Sequence, residues 1–408
     1  MLHINPNRLL NDLDELARIG ATADGGVSRL AFSAEDVAGR AWFEARVREA
    51  GLHYDRDGAA NQSAVLPCAN PAAPTFVVGS HLDTVPNGGR YDGALGVLAA
   101  LEALRTIREA GLELPVHLEA INFTDEEGTI LGEFGSFALT GYLTDDKLAT
   151  PRGGREALIE GMDRLGIDFL SAKEARRRPS TLAGFLELHI EQGTRLEQAG
   201  IAIGAVTSIV GIRSFWLTFV GEAAHAGTRP LDERKDALWG AADFIQQARH
   251  MVRERFHPGV VNFGQIAAVP GAFNIVPAEV QLALEFRHGT EDHLNEMEIY
   301  LLSLAEQVAR ANHLTVRIDP VSHCTAAPSD ERMVRAIVQA ADQLGLSHQR
   351  LMSFAGHDTQ TMSLITPSAM IFVPCEAGIS HNPREKCAEQ DILNGANVLL
   401  QALLIAAT

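Results

Sequence analysis

Residues 75–107 read TFVVGSHLDTVPNGGRYDGALGVLAALEALRTI, and this stretch decides the fold. Its first part, Thr75 to Ser80, is a short β-branched run, which predicts a buried strand. Its last part, from Ala94 to Ile107, repeats apolar residues at helical spacing until Gly111 ends the pattern. A strand that leads through a Gly-rich loop into a helix is typical of parallel α/β sheets.

The same alternation continues on both sides of this stretch. Val116 to Phe123, Phe185 to Ile190 and Ala369 to Val373 predict three further strands. Helices are predicted from Ser33 towards Gly51, where Ser33 and Asp36 resemble a capping box, and again after Ser329. We therefore expect an α/β fold, with a mostly parallel sheet and helices on both of its faces.

The middle of the chain follows another pattern. It predicts, in order, the strand Ser214–Val220, a helix with its apolar face from Leu238 to Val252, the strands Val260–Val269 and Ile275–Phe286, the helix Glu291–Asn312 and the strand Leu314–His323. This β-α-β-β-α-β order is typical of ferredoxin-like α+β domains. We expect a catalytic domain of residues 1–211 and 328–408 that is interrupted by an inserted domain of residues 212–327.

The composition excludes several classes of partner. The 408 residues include 34 basic and 52 acidic side chains, a net charge of −18, which repels phosphate backbones and anionic lipids. No apolar run reaches the ~18 residues of a membrane span, and the N-terminus lacks the apolar core of a signal peptide. The four cysteines form no C-x-x-C pair, so we expect reduced thiols in a cytoplasmic protein, without nucleic-acid or membrane partners.

Metal-type side chains follow four of the predicted strands, in segments 80–97, 125–128, 188–193 and 378–381. Ligands of open α/β sheets bind at this carboxyl edge. Five residues there offer only imidazole and carboxylate groups: His81, Asp92, Glu127, His189 and His381. This set suits Zn, Mn, Co or Ni, and five ligands suit two ions that share a bridging carboxylate.

Each piece has an ordinary structural explanation when it is taken alone. The chain has 15 histidines, and any single one of them is more often a surface or core residue than a metal ligand. Glu126-Glu127 could be a solvated turn, and Asp83 could cap a turn. The convergence of four segments at one edge outweighs these explanations. Nucleotide-binding G-x-G-x-x-G and Walker patterns and the G-x-S-x-G elbow are absent, and we interpret Cys375 as a buried structural thiol.

Six segments, in order along nearly the whole chain, resemble one family: HLDTVPNGGRYDGALGVL, TDEEG, FLELHIEQG, GEAAHAGTRP, AGHDTQ and GISHNPRE. They resemble the N-carbamoyl-L-amino-acid hydrolase branch of the dinuclear-metal aminoacylase and carboxypeptidase-like peptidases. Allantoate amidohydrolases and β-ureidopropionases belong to the same branch. By this resemblance the five residues above are the metal ligands, with Asp92 bridging; Asp83 orients His81, and Glu126 is the general base.

The resemblance also implies substrate contacts and an assembly. The contacts would be Gln192, His225, Asn274 and Arg287, with His225 also stabilising the oxyanion of the reaction. Arg287 is apt for a substrate carboxylate, because a guanidinium can bind it with two hydrogen bonds. The inserted domain would form a homodimer.

The implied reaction is metal-dependent hydrolysis of the ureido C–N bond of an N-carbamoyl-L-amino acid, a small molecule with a carboxylate, to the amino acid, CO2 and ammonia. Alternatives are an aminoacylase or dipeptidase that uses the same site, an allantoate amidohydrolase, or a metal-dependent binding protein without turnover. Ile130 and Phe137 stand where the family often has basic residues. This departure favours an apolar N-carbamoyl amino acid over allantoate.

Overall fold

The computed structural model describes every residue from Met1 to Thr408. The chain forms two compact units: unit 1 comprises Met1–Thr207 and Ser329–Thr408, and unit 2 comprises Ser208–Pro328. The helices are α1 Pro6–Leu16, α2 Ala34–Glu49, α3 Ala94–Glu109, α4 Phe134–Thr140, α5 Asp145–Ala149, α6 Gly154–Leu165, α7 Phe169–Glu174, α8 Arg195–Ala199, α9 Ala237–Arg255, α10 Glu291–Ala311, α11 Glu331–Gln343, α12 Asp358–Met362 and α13 Glu389–Ala406. The strands are β1 His53–Arg56, β2 Gln62–Leu66, β3 Thr75–His81, β4 His117–Phe123, β5 Leu182–Ile190, β6 Ile203–Ile209, β7 Gly211–Val220, β8 Ala224–His225, β9 Val260–Asn262, β10 Ile266–Val269, β11 Ile275–Val276, β12 Glu279–His288, β13 Thr315–Cys324, β14 Ala327–Pro328, β15 His348–Ser353 and β16 Ser368–Val373.

The large sheet of unit 1 has the strand order β1-β2-β4-β3-β5-β16-β6, with β15 also paired to β6. The four central strands β4, β3, β5 and β16 run parallel to one another. The flanking pairs β1–β2, β2–β4 and β16–β6 are antiparallel. The predicted α/β fold with a mostly parallel sheet is therefore confirmed, with the parallel part at the centre.

Helices cover both faces of this sheet. On one face α3, α11 and α13 pack against alternate residues of the central strands, among them Val78 and Leu186. On the other face Leu139 of α4 and Met362 of α12 pack against Val77. Because Val77 and Val78 are neighbours in β3, they point to opposite faces and both are fully buried. Each such side chain contributes about 1.5–3 kcal/mol through burial.

The central strands end at one edge of the sheet, because they are parallel. There β3 ends at His81, β4 at Phe123, β5 at Ile190 and β16 at Val373. The four segments with metal-type side chains therefore start from neighbouring strand ends, where ligand sites of α/β sheets form.

Unit 2 contains an antiparallel sheet of order β10-β12-β7-β13, with β9 also paired to β12. The helices α9 and α10 pack on it around buried Phe219, Phe244 and Leu301. The sequence predicts single strands at Val260–Val269 and Ile275–Phe286, but each of them is split in two. In the second case the break includes Pro277, which has no N–H with which to continue the pairing of β11 with β8.

Two further properties of the chain bear on its chemistry. None of its helices has both the length and the apolar surface of a membrane span. The four cysteines are free thiols. Burial raises the pKa of Cys375 to about 11, so little reactive thiolate forms at neutral pH, as expected of a structural residue.

Candidate metal centre

His81 is the last residue of β3, and its ring lies directly against the backbone of Gly93. A Cβ atom at Gly93 would lie 2.4 Å from the ring, and the φ of 64° also favours glycine there. The Nδ1 atom of His81 lies 3.0 Å from the backbone oxygen of Asp83. The Nε2 atom faces Asp92 Oδ1 at 3.6 Å and Glu126 Oε2 at 3.5 Å.

His189, near the end of β5, is held in a similar way. Its Nδ1 lies 2.9 Å from the backbone oxygen of Ile190, and its Nε2 lies 3.1 Å from Asp92 Oδ1. When Nδ1–H donates to a carbonyl oxygen, the lone pair of Nε2 is directed away from it. A carbonyl partner of this kind orients histidine as a metal ligand.

The carboxylate of Asp92 is shared between two groups of ligand atoms. Its Oδ2 lies 3.4 Å from His381 Nε2, which in turn is 3.3 Å from Glu127 Oε2. Ligand atoms lie within 4.8 Å of one another in the group His81–Asp92–His189 and in the group Asp92–Glu127–His381. Two cations that share one carboxylate fit this arrangement, which joins all five predicted ligands.

The electrostatics of the cluster also fit divalent cations. Burial and the neighbouring Asp92 raise the pKa of Glu127 to about 10. Burial, followed by the charges of Asp358 and Glu127, raises the pKa of Glu126 well above its ordinary value. Burial alone would lower the pKa of His189, but the charge of Asp92 raises it to about 9. The ion pairs of Asp92, Glu126 and Glu127 are all with histidines, so bound cations would offset an excess of negative charge.

Asp83 contacts both His81 and the backbone of the Glu126–Glu127 pair. Its carboxylate accepts the backbone N–H groups of Glu126 at 3.4 Å and Glu127 at 3.2 Å. Its Oδ1 is 3.8 Å from His81 Nδ1, whereas its backbone oxygen is 0.8 Å closer, at 3.0 Å. Asp83 thus contacts His81 mainly through its backbone and orients the glutamate pair through its side chain.

Three non-glycine residues of the site have a left-handed backbone. Asp125, Gln192 and His381 have φ angles of 54°, 55° and 54°. Such conformations cost about 1–3 kcal/mol each and cluster at functional sites. Asp125 and Gln192 come directly after the ends of β4 and β5, whereas His381 lies further along the loop that follows β16; each turn redirects the chain next to the ligand cluster.

Gln192 contacts the shared ligand directly. Its Nε2 donates to Asp92 Oδ2 at 2.8 Å and to Ser380 Oγ at 3.2 Å. Its Oε1 is buried and accepts no hydrogen bond. The amide therefore retains one acceptor that a substrate N–H could use.

The other predicted contacts belong to unit 2. His225 and Asn274 are neighbours, because β8 pairs with β11 and the N–H of Ala226 donates to the backbone oxygen of Asn274 at 3.0 Å. His225 Nδ1 accepts the N–H groups of Gly227 at 3.1 Å and Thr228 at 3.2 Å, so the ring hydrogen of a neutral imidazole lies on Nε2.

Arg287 lies on β12 and is paired within its own strand. Its Nη2 lies 2.8 Å and its Nε 2.9 Å from Glu285 Oε1. The roles of His225, Asn274 and Arg287 as substrate contacts stay predictions.

Sequence reasoning missed several polar residues around the cluster. Ser380 and Glu385 lie in the quoted segment GISHNPRE, and His357 lies in AGHDTQ, but only His381 was assigned a role there. The rings of His357 and His189 are 4.6 Å apart between centroids. His357 also forms a possible ligand group with His189 and Glu187.

The hydrogen bonds of this third group indicate a supporting role. Glu187 accepts from Ser80 Oγ at 2.7 Å and from the N–H and hydroxyl of Thr359 at 3.0 and 2.6 Å. Ser353 Oγ lies 2.9 Å from His357 Nε2. Because both oxygens of Glu187 and the Nε2 of His357 already have partners within the protein, we interpret the pair as support for His189.

Ile130 and Phe137, the two departures from the family pattern, lie near basic side chains of another segment. Ile130 is buried in an apolar cluster. Arg152, just before α6, reaches the same loop and donates from Nη1 to the backbone oxygen of Gly128 at 2.6 Å. Lys147 of α5 lies with Nζ 3.7 Å from the centroid of the Phe137 ring. Positive charge is therefore present close to both positions.

The chain is similar to known proteins over nearly its whole length. The profile of Peptidase family M20/M25/M40 matches residues 77–405, a range that includes all five predicted ligands. An N-carbamoyl-L-amino acid amidohydrolase of Geobacillus stearothermophilus is 35% identical over 97% of this chain and 97% of its own length. An allantoate amidohydrolase of Bacillus subtilis is 32% identical, also over 97% of both. A crystal structure of an amidase of the hydantoinase/carbamoylase family from Burkholderia multivorans is 33% identical, with a TM-score of 0.91 over 100% of this chain and 98% of that one.

Proposed function

Because the chain belongs to Peptidase family M20/M25/M40, we propose that it is a metal-dependent amidohydrolase that cleaves the ureido C–N bond of an N-carbamoyl-L-amino acid. The products would be the amino acid, CO2 and ammonia. One observation carries the proposal: two ligand groups share Asp92, and Glu126 lies beside them without belonging to either. A carboxylate in that position suits a general base.

The proposal includes two divalent metal ions, Zn, Mn, Co or Ni, per subunit. His81 and His189 would hold one ion, Glu127 and His381 the other, and Asp92 would contact both. Bound ions of this kind polarise a substrate carbonyl and lower the pKa of water.

Glu126 moves the proton in the proposed reaction. Its carboxylate takes a proton from the attacking water and passes it to the leaving nitrogen, as one acid/base group can serve both steps. The position of Glu126 supports this role, because its Oε2 lies 3.5 Å from His81 Nε2, next to the group that would hold the first ion. Asp83 keeps Glu126 in place through the backbone hydrogen bond.

Unit 2 supplies the recognition of the substrate in this proposal. His225 would donate from Nε2 to the oxyanion, since its Nδ1 is occupied by two backbone N–H groups. Arg287 would bind the substrate carboxylate, and Asn274 would contact the substrate from its position next to His225. From unit 1, the unused Oε1 of Gln192 would accept a substrate N–H.

A homodimer through unit 2 and a cytoplasmic location complete the proposal. β10 is the edge strand of its sheet, and two of its apolar residues, Ile266 and Val269, are 50% and 54% exposed. An edge strand with exposed apolar residues favours pairing with another chain. The four free thiols suit the reducing conditions of the cytoplasm.

A substrate panel tests the function. The protein is stripped of metal and loaded separately with Zn²⁺, Mn²⁺, Co²⁺ or Ni²⁺. It is then incubated with N-carbamoyl-, N-acetyl- and N-formyl-L-amino acids, dipeptides and allantoate, and ammonia and free amino acid are measured. We expect ammonia and amino acid in equal amounts from N-carbamoyl-L-amino acids. Glu126→Gln protein, purified in parallel, measures any contaminating activity.

The panel also separates the alternatives. Release of amino acid from N-acetyl substrates, with no ammonia from any ureido compound, would replace the proposal by an aminoacylase. Ammonia from allantoate alone would make the protein an allantoate amidohydrolase, like its relative from Bacillus subtilis. Tight metal binding with no turnover of any substrate would favour a binding protein.

A further inference from the structure

Glu385 is a buried acid that joins two loops of the metal centre. Its Oε1 accepts the backbone N–H groups of Tyr91 at 2.8 Å and Asp92 at 3.2 Å. Its Oε2 lies 3.1 Å from the hydroxyl of Ser380, the residue before His381. One carboxylate therefore connects the loop of Asp92, before α3, with the loop of His381, before α13.

The same contacts extend to the side chain of the shared ligand. The hydroxyl of Ser380 is 2.7 Å from Asp92 Oδ2, the oxygen that faces His381. Glu385 thus holds the backbone of Asp92 directly and reaches its carboxylate through Ser380. All the hydrogen bonds of its carboxylate are to Asp92 or to residues next to Asp92 and His381, which is more specific than a general packing role.

The carboxylate of Glu385 packs against Gly89, where the space that a side chain would fill is taken by the carboxylate itself. A Cβ atom there would lie about 1.9–2.1 Å from the carboxylate atoms of Glu385. The glycine does not need its conformational freedom, since its φ is not positive, so the absence of a side chain is what matters. An alanine at position 89 would push the carboxylate of Glu385 out of its place.

The three histidines of the cluster depend on such support to different degrees. His81 and His189 lie on strands, are buried, and have Nδ1 next to a backbone carbonyl. His381 lies on a loop with a 50% exposed side chain, and no hydrogen bond holds its Nδ1. The position of His381 therefore depends on its loop. Ser380 and Gln192 connect this loop to the carboxylate of Asp92, and Glu385 is the side chain that also binds the backbone N–H of Asp92.

We propose that Glu385 is a positioning residue, which keeps Asp92 and His381 at the spacing that the Asp92–Glu127–His381 group needs to bind its cation. The inference rests on the two-metal part of the proposed function and requires no particular substrate. Partners that orient metal ligands typically change metal affinity by about 10- to 100-fold when they are removed.

Zinc binding is the test, with Zn²⁺ alone as the probe. Metal-free full-length protein is titrated with Zn²⁺ by calorimetry, and bound zinc is counted by elemental analysis after dialysis. We expect two zinc ions in the parent protein. In Glu385→Ala we expect the ion of the Asp92–Glu127–His381 group to bind roughly 10- to 100-fold more weakly. The other ion also shares Asp92, but two buried histidines hold it, so its binding should weaken less. Gly89→Ala should mainly weaken the ion of the Asp92–Glu127–His381 group as well.

Two further variants separate position from charge. Glu385→Gln should bind both ions as the parent does, because an amide oxygen can still accept from Tyr91 and Asp92 while its NH2 donates to Ser380. Glu376→Ala removes an acid from the same segment, where Glu376 pairs with Lys386 at the surface, and should change nothing. The unfolding temperature of each metal-free variant shows whether the fold is intact.

Several results would overturn the proposal. One is a Glu385→Ala variant that binds both zinc ions with the affinity of the parent protein, and another is a Glu385→Ala variant in which both ions bind more weakly to the same extent. A third is a Glu385→Gln variant whose zinc affinities equal those of Glu385→Ala. Parent protein that binds fewer than two zinc ions would overturn it as well. Failure of the proposed enzymatic function would give another result: the parent protein would bind two zinc ions but release no ammonia from ureido substrates.

Discussion

The predicted ligands of unit 1 and the predicted substrate contacts of unit 2 are held in different ways. His81 and His189 are each 1% exposed, and their rings are fixed by backbone carbonyls. His225 is exposed, and the side chain of Arg287 is 31% exposed and paired with Glu285. Unit 1 has a site whose geometry is set by the fold, whereas unit 2 carries polar groups at its surface.

Because of this difference, the free energy needed to organise the site for a substrate differs between the two regions. If the residues of unit 1 act as predicted, ligands and a base that are mostly buried are organised before a substrate arrives, so that little reorganisation accompanies the reaction. Exposed groups lose hydration and side-chain freedom when they bind, so each one contributes a smaller net free energy. Changes in unit 1 should therefore abolish chemistry or metal binding, while changes in unit 2 should give graded effects on turnover and affinity.

The largest expected effect comes from the glutamate pair. Glu126→Gln should keep both metal ions and lower kcat by about 10²- to 10⁴-fold, the usual contribution of a general base. Glu127→Gln should instead lose metal first, because it removes a carboxylate from the Asp92–Glu127–His381 group. Elemental analysis and kcat of the two purified variants provide the measurement.

The two variants are matched controls for each other, since they make the same chemical change at adjacent positions. Loss of metal in Glu126→Gln, with full metal in Glu127→Gln, would reverse the two assignments. Turnover that survives in both variants would remove the pair from the reaction.

The second effect tests whether unit 2 takes part in chemistry at all. His225→Ala should retain both metal ions and lower kcat by roughly 10²- to 10³-fold, as expected for one oxyanion donor. Thr228→Ala is the control, because Thr228 contacts His225 only through its backbone N–H. Near-parent activity of His225→Ala would remove this histidine from the site.

Mixing variants shows which subunit supplies His225. Inactive His225→Ala and inactive Glu126→Gln subunits are allowed to exchange, and exchange is verified with tagged chains. Recovered activity means that the histidine acts across a dimer, since one hybrid site then has both residues intact. A mixture that stays inactive means that the histidine acts within its own chain.

The proximity of the five predicted ligands in unit 1 could be predicted from sequence for a physical reason. Histidine and acidic residues directly after strands of a parallel sheet must meet at one edge, so residue type and strand order are sufficient. Glu385 has no such signal. It reaches Asp92 from 293 residues further along the chain, and only the folded loops bring the two together.

Other details were outside the reach of patterns as well. The sequence predicts that Asp83 orients His81, and the two residues do lie next to each other. The contact to His81 is made by the backbone oxygen of Asp83, however, while its carboxylate accepts the N–H groups of Glu126 and Glu127. The periodicity of residues 275–286 predicts one strand, because alternation continues across Pro277 although pairing does not. Periodicity reports which face is buried, and it does not report where hydrogen bonding stops.

A smaller effect is expected at Arg287. Arg287→Ala should raise KM by about 10- to 100-fold for substrates with a free α-carboxylate, since a hydrogen bond to a charged group contributes about 1.5–3 kcal/mol. The corresponding amide, which has no negative charge, should lose much less. Arg253→Ala, an exposed arginine of α9, is the control for the loss of one positive charge from unit 2. Equal effects on acid and amide would make Arg287 a structural partner of Glu285.

The smallest effect concerns Glu285, which would compete with a substrate carboxylate for Arg287 if Arg287 binds the substrate as predicted. Its Oε1 lies 2.8 Å from Arg287 Nη2, and its charge repels an incoming carboxylate. Glu285→Gln keeps the shape of the side chain and removes this charge. Because partly exposed ion pairs contribute only about 0–1 kcal/mol, KM for the carboxylate substrate should fall by no more than about fivefold, with kcat unchanged. The double variant Glu285→Gln/Arg287→Ala should have the KM of Arg287→Ala alone, since Glu285 would act on substrate binding only through Arg287. A rise in KM for Glu285→Gln would mean that the acid orients the guanidinium for the substrate, and that this surface of unit 2 is organised in advance as the metal centre is.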